Sequence, residues 1–276
     1  MNDLISQGNR TSGSRIRRGV LPIMIAAAAT AALVAGCTSS SNSDSKATTS
    51  QAAPPAQLPE GAQIVAESAK TTQTLQSVHV VLDVKNLPTL SVKSIKADVT
   101  NQPQGQGQAI GDAEVKVKQD GDFTKTKFMV VDKTLYTGDG TKYAPVGPAE
   151  KIYDPGVLLD KDKGLAYAIS QVKNAKAEGR EKIDGVDTVK VSGTISADVM
   201  DPVVPQIGKD GGEFPITLYI KDVAPPSGTG TTLPSNAASP GTGPNLVRAI
   251  VTKDAGTVTV TLSDWAKPVH VTKPGG

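Results

Sequence analysis

The chain has 276 residues, 38% of them hydrophobic and 20% charged, with 29 basic against 27 acidic side chains and two His. A single Cys excludes a disulfide framework and a Cys-type metal site. The slight positive balance is a property of the N-terminus: removing residues 1–36 takes away four Arg and one Asp and leaves 25 basic against 26 acidic groups, with no electrostatic footprint for nucleic acid.

Arg10, Arg15, Arg17 and Arg18 stand against the single acid Asp3 in the first 18 residues. Val20 to Val34 is then apolar apart from Pro22 and Thr30, about 15 residues where a stable membrane span needs roughly 20. Small Ala35 and Gly36 precede Cys37, the layout of a cleaved secretory signal whose Cys receives a diacylglyceryl group. Residues 1–36 are therefore expected to be a lipoprotein signal peptide and Cys37 the lipidation site that holds the chain to the bilayer. An uncleaved anchor helix is the alternative. Residues 37–59 carry the lipidated Cys and a Ser/Thr/Ala/Pro run too poor in apolar side chains to fold, a flexible tether open to glycosylation.

Residues 60–276 read as one domain. Ile64, Val65, Ala69, Thr72 and Leu75 recur at helical spacing within Glu60–Gln76. The period then changes to two: Val78, Val80, Leu82 and Val84; Ile95, Ala97 and Val99; Ala113, Val115 and Val117; Thr124, Thr126, Phe128 and Val130. Asp120-Gly121 and Asp139-Gly140 are hairpin turns, the second before a run from Tyr143 to Val146. Pro155 to Asp160 and Gly164 to Asn174 predict short helices. Asp184-Gly185 is a further turn before Val189, Val191 and Ile195, and Asp198 to Ile207 predicts a Pro-broken helix. Ile216, Leu218 and Ile220 predict a strand. Ala224 to Pro244 is a long loop without periodicity, expected to be disordered or functional. Val247, Ala249 and Val251 then pair with Val258, Val260 and Leu262 across Asp254-Ala255-Gly256, and Trp265 closes the pattern.

This order predicts an α+β fold: a curved antiparallel β-sheet with one apolar and one charged face, and helices on the concave side. Small branched side chains dominate the inner face and aromatics are 3% of the chain. Such a sheet is either filled by its helices or left with an apolar cavity.

The search for catalytic chemistry finds little. His79 lies on the polar face of its strand and His270 between two Val, both read as structural. No Gly-x-Ser-x-Gly elbow occurs. Gly138-Asp139-Gly140-Thr141-Lys142 lacks phosphate-loop spacing and reads as a hairpin turn; Asp160-Lys161-Asp162-Lys163-Gly164 lacks calcium-loop spacing and reads as a capped connection. No enzyme activity, metal or cofactor is expected.

Several stretches resemble the mycobacterial LppX/LprA/LprF/LprG lipoprotein family, and most of all its LprF branch. They are Ser77-Val78-His79-Val80-Val81-Leu82, Asp98-Val99-Thr100-Asn101-Gln102-Pro103, the run Gly147 to Pro155, Ala177-Glu178-Gly179-Arg180, Val191-Ser192-Gly193-Thr194 and Leu262-Ser263-Asp264-Trp265. The resemblance implies a half-barrel with helices on its concave side and an apolar cavity between them. It also implies a diacylated or triacylated glycolipid ligand, of phosphoinositol mannoside or lipoglycan type, carried across the cell envelope from the extracytoplasmic face of the membrane. The lining it suggests is Val78, Val80, Leu82, Ile95, Ala97, Val99, Ala113, Val115, Val117, Phe128 and Val130, with Ala113 facing the acyl chains. The Ala224–Pro244 loop has the look of an insertion. The competing expectation is a non-enzymatic extracytoplasmic module that docks on a sensor kinase or transporter through the sheet edge or that loop.

Overall fold

The computed structural model describes residues 57–103, 106–116, 118, 120–223 and 242–274. The expectations placed on residues 1–56, including the signal, Cys37 and most of the tether, lie outside the described residues, as do Val117 and residues 224–241 of the long loop.

Helix α1 spans Gly61–Gln73. The Glu60 carboxylate caps it, accepting from the Ala62 and Gln63 amides at 3.2 and 3.0 Å, which satisfies donors that a helix start leaves orphaned. Ile64, Val65, Ala69 and Thr72 form its buried stripe. The helix stops at Thr74, earlier than Gln76, and Leu75 is buried in the turn that follows.

Eleven strands follow: β1 Ser77–Lys85, β2 Val92–Thr100, β3 Gln108–Lys116, β4 Phe123–Val131, β5 Thr134–Gly138, β6 Tyr143–Pro148, β7 Lys173–Ile183, β8 Val186–Ser196, β9 Glu213–Lys221, β10 Leu246–Lys253 and β11 Gly256–Ser263. They form one antiparallel sheet in the order β6-β5-β4-β3-β2-β1-β11-β10-β9-β8-β7. The first and last strands meet at the centre, so the two edges, β6 and β7, are consecutive in the chain. In a flat sheet those edges would stand ten gaps of about 4.8 Å apart, about 48 Å. The connection between them folds into two short 3-10 turns, Ala149–Lys151 and Pro155–Leu159, and helix α2, Leu165–Ser170. Such a compact connection reaches from edge to edge because the sheet curls. The predicted antiparallel sheet, open and with few helices, is the observed fold.

Two strands differ from the sequence pattern. β5 is entered through a tight turn in which Asp132 and Lys133 both adopt positive φ, 50° and 58°. A turn of this shape usually announces itself with Asn-Gly, and Asp-Lys does not. β7 begins at Lys173, where helix was predicted to continue to Asn174; α2 ends at Ser170. The inward positions of β7 are Ala175 and Ala177, too small to print a strong alternation, and register shifts at Lys173/Lys176 and Ala177/Gly179 break its period. The segment from Asp198 to Ile207 is helical only as α3, Ala197–Met200, followed by turns that bury Val203, Val204 and Ile207.

The main core joins α1, α2 and the α3 segment to the inner face of β1–β3 and β8–β11. The outer face is less uniformly solvated than its sequence predicts. Met129, Val131 and Tyr136 bury a second cluster there, with Ile110, Tyr143 and Val271 packed on it. The C-terminal segment starts on the main core, where the Trp265 indole Nε1 donates to Leu246 O at 3.2 Å and Ala266 N to Ser77 O at 2.9 Å, and brings Val271 onto the outer cluster.

Candidate functional site on the inner face of the sheet

The strand register puts the ten described lining candidates on one face. Val78 pairs with Val99, Val99 with Ala109 and Ala109 with Val130; Val80 pairs with Ala97, Ala97 with Gly111 and Gly111 with Phe128. A third row runs Leu82, Ile95, Ala113, Thr126, and Val115 follows Ala113 on the same side of β3. Val117 lies outside the described residues.

Burial divides these residues. Val78, Val80, Leu82, Ala97, Val99 and Val130 are all 6% exposed or less and belong to the packed interior. Ile95, Ala113, Val115 and Phe128 are half-buried. The division follows position both along and across the strands: β1 stays sealed as far as Leu82, whereas Ile95 of β2, Ala113 of β3 and Phe128 of β4 are half-buried. The Pro155–Leu159 turn lies against β2 and β3, where Gly156 and Gly107 approach so closely that a β-carbon on either would clash with the other's backbone. The helical layer thus covers the Val78–Val99–Ala109 end and leaves the Ile95–Ala113–Val115 end with apolar surface to spare. Val84, on the same face of β1, and Leu87 and Val92 beside it are also half-buried against the core and extend the strip. The sequence alternation reached Val84; the other two sit where a loop and a register shift hide them.

The opposite face is polar. A depression of about 570 Å³ is lined by Asp83, Lys96, Asp112, Glu114, Lys125 and Lys127 among others, and Ile95, Ala113 and Thr126 of the third row also border it. Lys127 donates to Asp112 at 2.6 Å, and that hydrogen bond, with the attached charge, raises the ammonium above its ordinary pKa. Lys93 pairs with Glu114 at 2.8 Å. A second depression, about 780 Å³, lies between the α1–β1 junction, the β2–β3 connection and the C-terminal segment.

All the residues weighed for catalysis except His270 occupy structural roles. His79 Nδ1 meets Asp98 Oδ1 at 2.6 Å across paired strands on the outer face, and His270 is exposed. Asp139 closes its hairpin by accepting from the Thr141 and Lys142 amides, each at 2.8 Å, which holds its carboxyl down at about 2. Asp160 accepts from the Asp162 and Lys163 amides and caps the approach to α2. Burial pushes the Tyr153 phenol far above its ordinary range, and its hydroxyl donates to Val203 O at 3.2 Å. Among the described residues no group of three or more His, Cys, Asp or Glu side chains could hold a metal, and no helix is long and apolar enough to cross a membrane.

Comparison with known proteins agrees with this architecture. LprF of Mycobacterium bovis, whose name makes it a proposed diacylated glycolipid transporter, is 48% identical over the whole of both chains. LprG of Mycobacteroides abscessus, named as a lipoarabinomannan carrier, is 34% identical over 95% of this chain and 98% of its own. The crystal structure of LprF from Mycobacterium bovis superposes with a TM-score of 0.70 at 51% identity, covering 79% of this chain and 99% of that one. The crystal structure of LppX from Mycobacterium tuberculosis shares the fold at a TM-score of 0.51 and 23% identity, covering 76% and 98%. The LppX_LprAFG lipoprotein family profile matches residues 60–271, nearly all of the folded domain, and the chain belongs to that family.

Proposed function

We propose that the protein is a lipid-anchored carrier on the extracytoplasmic face of the cell membrane, and that it takes the acyl chains of a glycolipid against the inner face of β1–β4. The observation that carries this reading is the half-buried apolar strip Ile95–Ala113–Val115–Phe128, continuous with a fully buried core and free of charged side chains. The names of its full-length relatives, a glycolipid transporter and a lipoarabinomannan carrier, supply the ligand class. A cavity between strip and helices would hold the chains, with the saccharide outside.

The energetics suit a carrier. Burying a methylene is worth roughly 0.8 kcal/mol, but a lipid in the bilayer already has that stabilisation. The protein has only to match the membrane, so exchange stays reversible. A diacylated or triacylated ligand, a Cys37 anchor in the inner-membrane bilayer and an absence of catalysis belong to the same reading.

The alternative, docking on a sensor kinase or transporter by strand addition, is disfavoured at both sheet edges. β6 carries Pro145 and Pro148, which have no amide to donate, and β7 exposes Lys173, Lys176, Glu178, Arg180 and Lys182. The deciding experiment is organic extraction of the purified protein followed by lipid mass spectrometry. Co-purifying acylated glycolipid at near one equivalent is expected. Protein free of lipid that also fails to extract glycolipid from vesicles refutes the carrier reading.

A further inference from the structure

The groove under the C-terminal segment differs chemically from the rest of the surface. Among the described residues its lining holds no Lys, Arg, Asp or Glu, whereas the depression elsewhere on the outer face is built largely of Asp, Glu and Lys. Its floor is the paired row Ser77, Thr100 and Gln108, which faces away from the inner-face row Val78, Val99 and Ala109. One wall is Gln76 and Gln102; the other is the segment from Pro268 to Thr272, which contains His270.

The floor and the ligand-facing groups play different parts. Ser77 Oγ donates to Lys267 O, and Thr100 Oγ1 donates to Gln76 O at 2.9 Å while accepting from Gln102 N at 3.1 Å, so these hydroxyls hold the groove in shape. The side chains of Gln76, Gln108, His270 and Thr272 have no hydrogen-bond partner among the described residues. Each Gln amide offers a donor and an acceptor in one plane, and the imidazole and hydroxyl can do either. Pro103, Pro268 and Val269 add flat apolar surface between them.

We infer that this groove is a binding site for neutral saccharide. Vicinal hydroxyls of a pyranose each donate and accept, which planar amides match in pairs, while the C–H face of the ring packs on proline and valine. An anion would find no Lys or Arg in the described lining and a cation no carboxylate. The site is on the face opposite the acyl strip, so it stands whether or not the acyl reading does. The saccharide comes either from the headgroup of a glycolipid or from a free envelope glycan.

The test uses the full chain purified in detergent, with methyl α-mannoside and a short mannan oligosaccharide as probes and inorganic phosphate as the charged control. Saturation-transfer NMR should show saturable binding with a Kd on the order of 1 mM for the monosaccharide, a modest roughly 0.3 kcal/mol per non-hydrogen atom. Phosphate should not compete, and His270 resonances should shift with the sugar. The double variant Gln76→Ala/Gln108→Ala should keep its circular dichroism spectrum and weaken sugar binding at least about tenfold, the loss of roughly one hydrogen bond. Unsaturable sugar signals, equal competition by phosphate, or unchanged affinity in the double variant each overturn the inference. Loading of the double variant with glycolipid and with diacylglycerol then separates the sources. Loss of the glycolipid alone identifies a headgroup, and unchanged loading of both identifies a free glycan. Sugar binding by a chain that loads neither lipid refutes the acyl reading and leaves the groove intact.

Discussion

Gly61 lies so close to β7 that a β-carbon on it would sit 2.5 Å from the Ala175 carbonyl oxygen and 2.8 Å from the Ala177 amide nitrogen. This contact pins the start of α1 to one edge of the sheet, while the chain leaving its other end runs into β1 at the centre. A helix of 13 residues is about 20 Å long, whereas β7 and β1 in a flat sheet would be about 24 Å apart. α1 is thus a strut across the concave side, and the curvature of that half depends on both ends staying docked.

Gly61→Val should therefore cost more than its loss of backbone freedom would suggest. The clash is with backbone, which cannot swing aside, so the helix must lift from β7 and uncover Ile64 and Val65. A loss of about 2–3 kcal/mol is expected, in the upper range for overpacking, read as a fall in denaturant midpoint. A midpoint unchanged from that of the original chain would mean the strut is not under this constraint.

The sequence made most of this fold legible because the inner face is written in period two. The runs through Val78, Ile95, Ala113, Val189, Ile216, Val247 and Val258 each became a strand. What it hid follows from two physical causes. Where the inward residues are Ala175 and Ala177, the alternation carries little hydrophobic contrast, and the start of β7 at Lys173 and Asn174 was absorbed into the predicted helix. Where a turn takes positive φ without glycine, as at Asp132 and Lys133, its usual signature is missing. The candidate site was legible as a face but not as an area. Alternation places Val78 and Ile95 on the same side, yet the packing of the helical layer decides that the first is sealed and the second half-buried.

The Asp139 hairpin gives a pH test. Its carboxyl, held at about 2 by the Lys142 and Thr141 amides, would titrate near 3.9 in an unfolded chain. A folded value below the unfolded one means that the carboxylate's stabilisation is fully present above about pH 4 and is lost as pH falls through 2. In an NMR titration the Thr141 and Lys142 amides should move with a midpoint near 2. Asp139→Ala should abolish that transition and loosen the β5–β6 turn. A midpoint near 4 would show that the amides do not hold the carboxylate in solution.

The C-terminal segment makes a contrasting pair of predictions. Val271 packs on the outer cluster of Met129, Val131 and Tyr136, while Lys273 reaches Asp132 at 3.5 Å with both side chains more than half exposed. An exposed pair at that distance contributes little, so Lys273→Ala should change stability by less than about 0.5 kcal/mol. Val271→Asp places a charge against the cluster and should cost about 1–2 kcal/mol, with faster hydrogen exchange in Met129 and Tyr136. Equal effects of the two substitutions would assign the segment's docking to charge rather than to packing.

Anchor and binding face are separable. On the proposed reading, in which Cys37 carries the anchor, Cys37→Ala should release the chain from the membrane fraction and leave glycolipid binding by the released protein unchanged. Arg180 donates to the Gln57 carbonyl oxygen at 3.3 Å, so the chain enters the domain beside β7, far across the sheet from Ile95 and Ala113. Lipid binding that disappears together with the thiol would refute their independence.

The inner face itself supplies the sharpest contrast, because its residues differ in burial but not in kind. Val78 is 1% exposed within the core, so Val78→Ala should leave a cavity and cost about 1–3 kcal/mol without a specific effect on lipid loading. Ala113 is half-buried between Ile95 and Thr126. Ala113→Trp should keep stability within about 1 kcal/mol, since the indole extends over the open strip instead of into packed atoms. That same indole occupies the surface an acyl chain needs, so lipid occupancy by native mass spectrometry should fall at least about tenfold, a loss of roughly 1.4 kcal/mol. The pair discriminates because a general loss of fold lowers both readouts together, whereas a ligand strip at Ala113 lowers occupancy alone. Full occupancy in a folded Ala113→Trp chain would move the acyl chains away from β3.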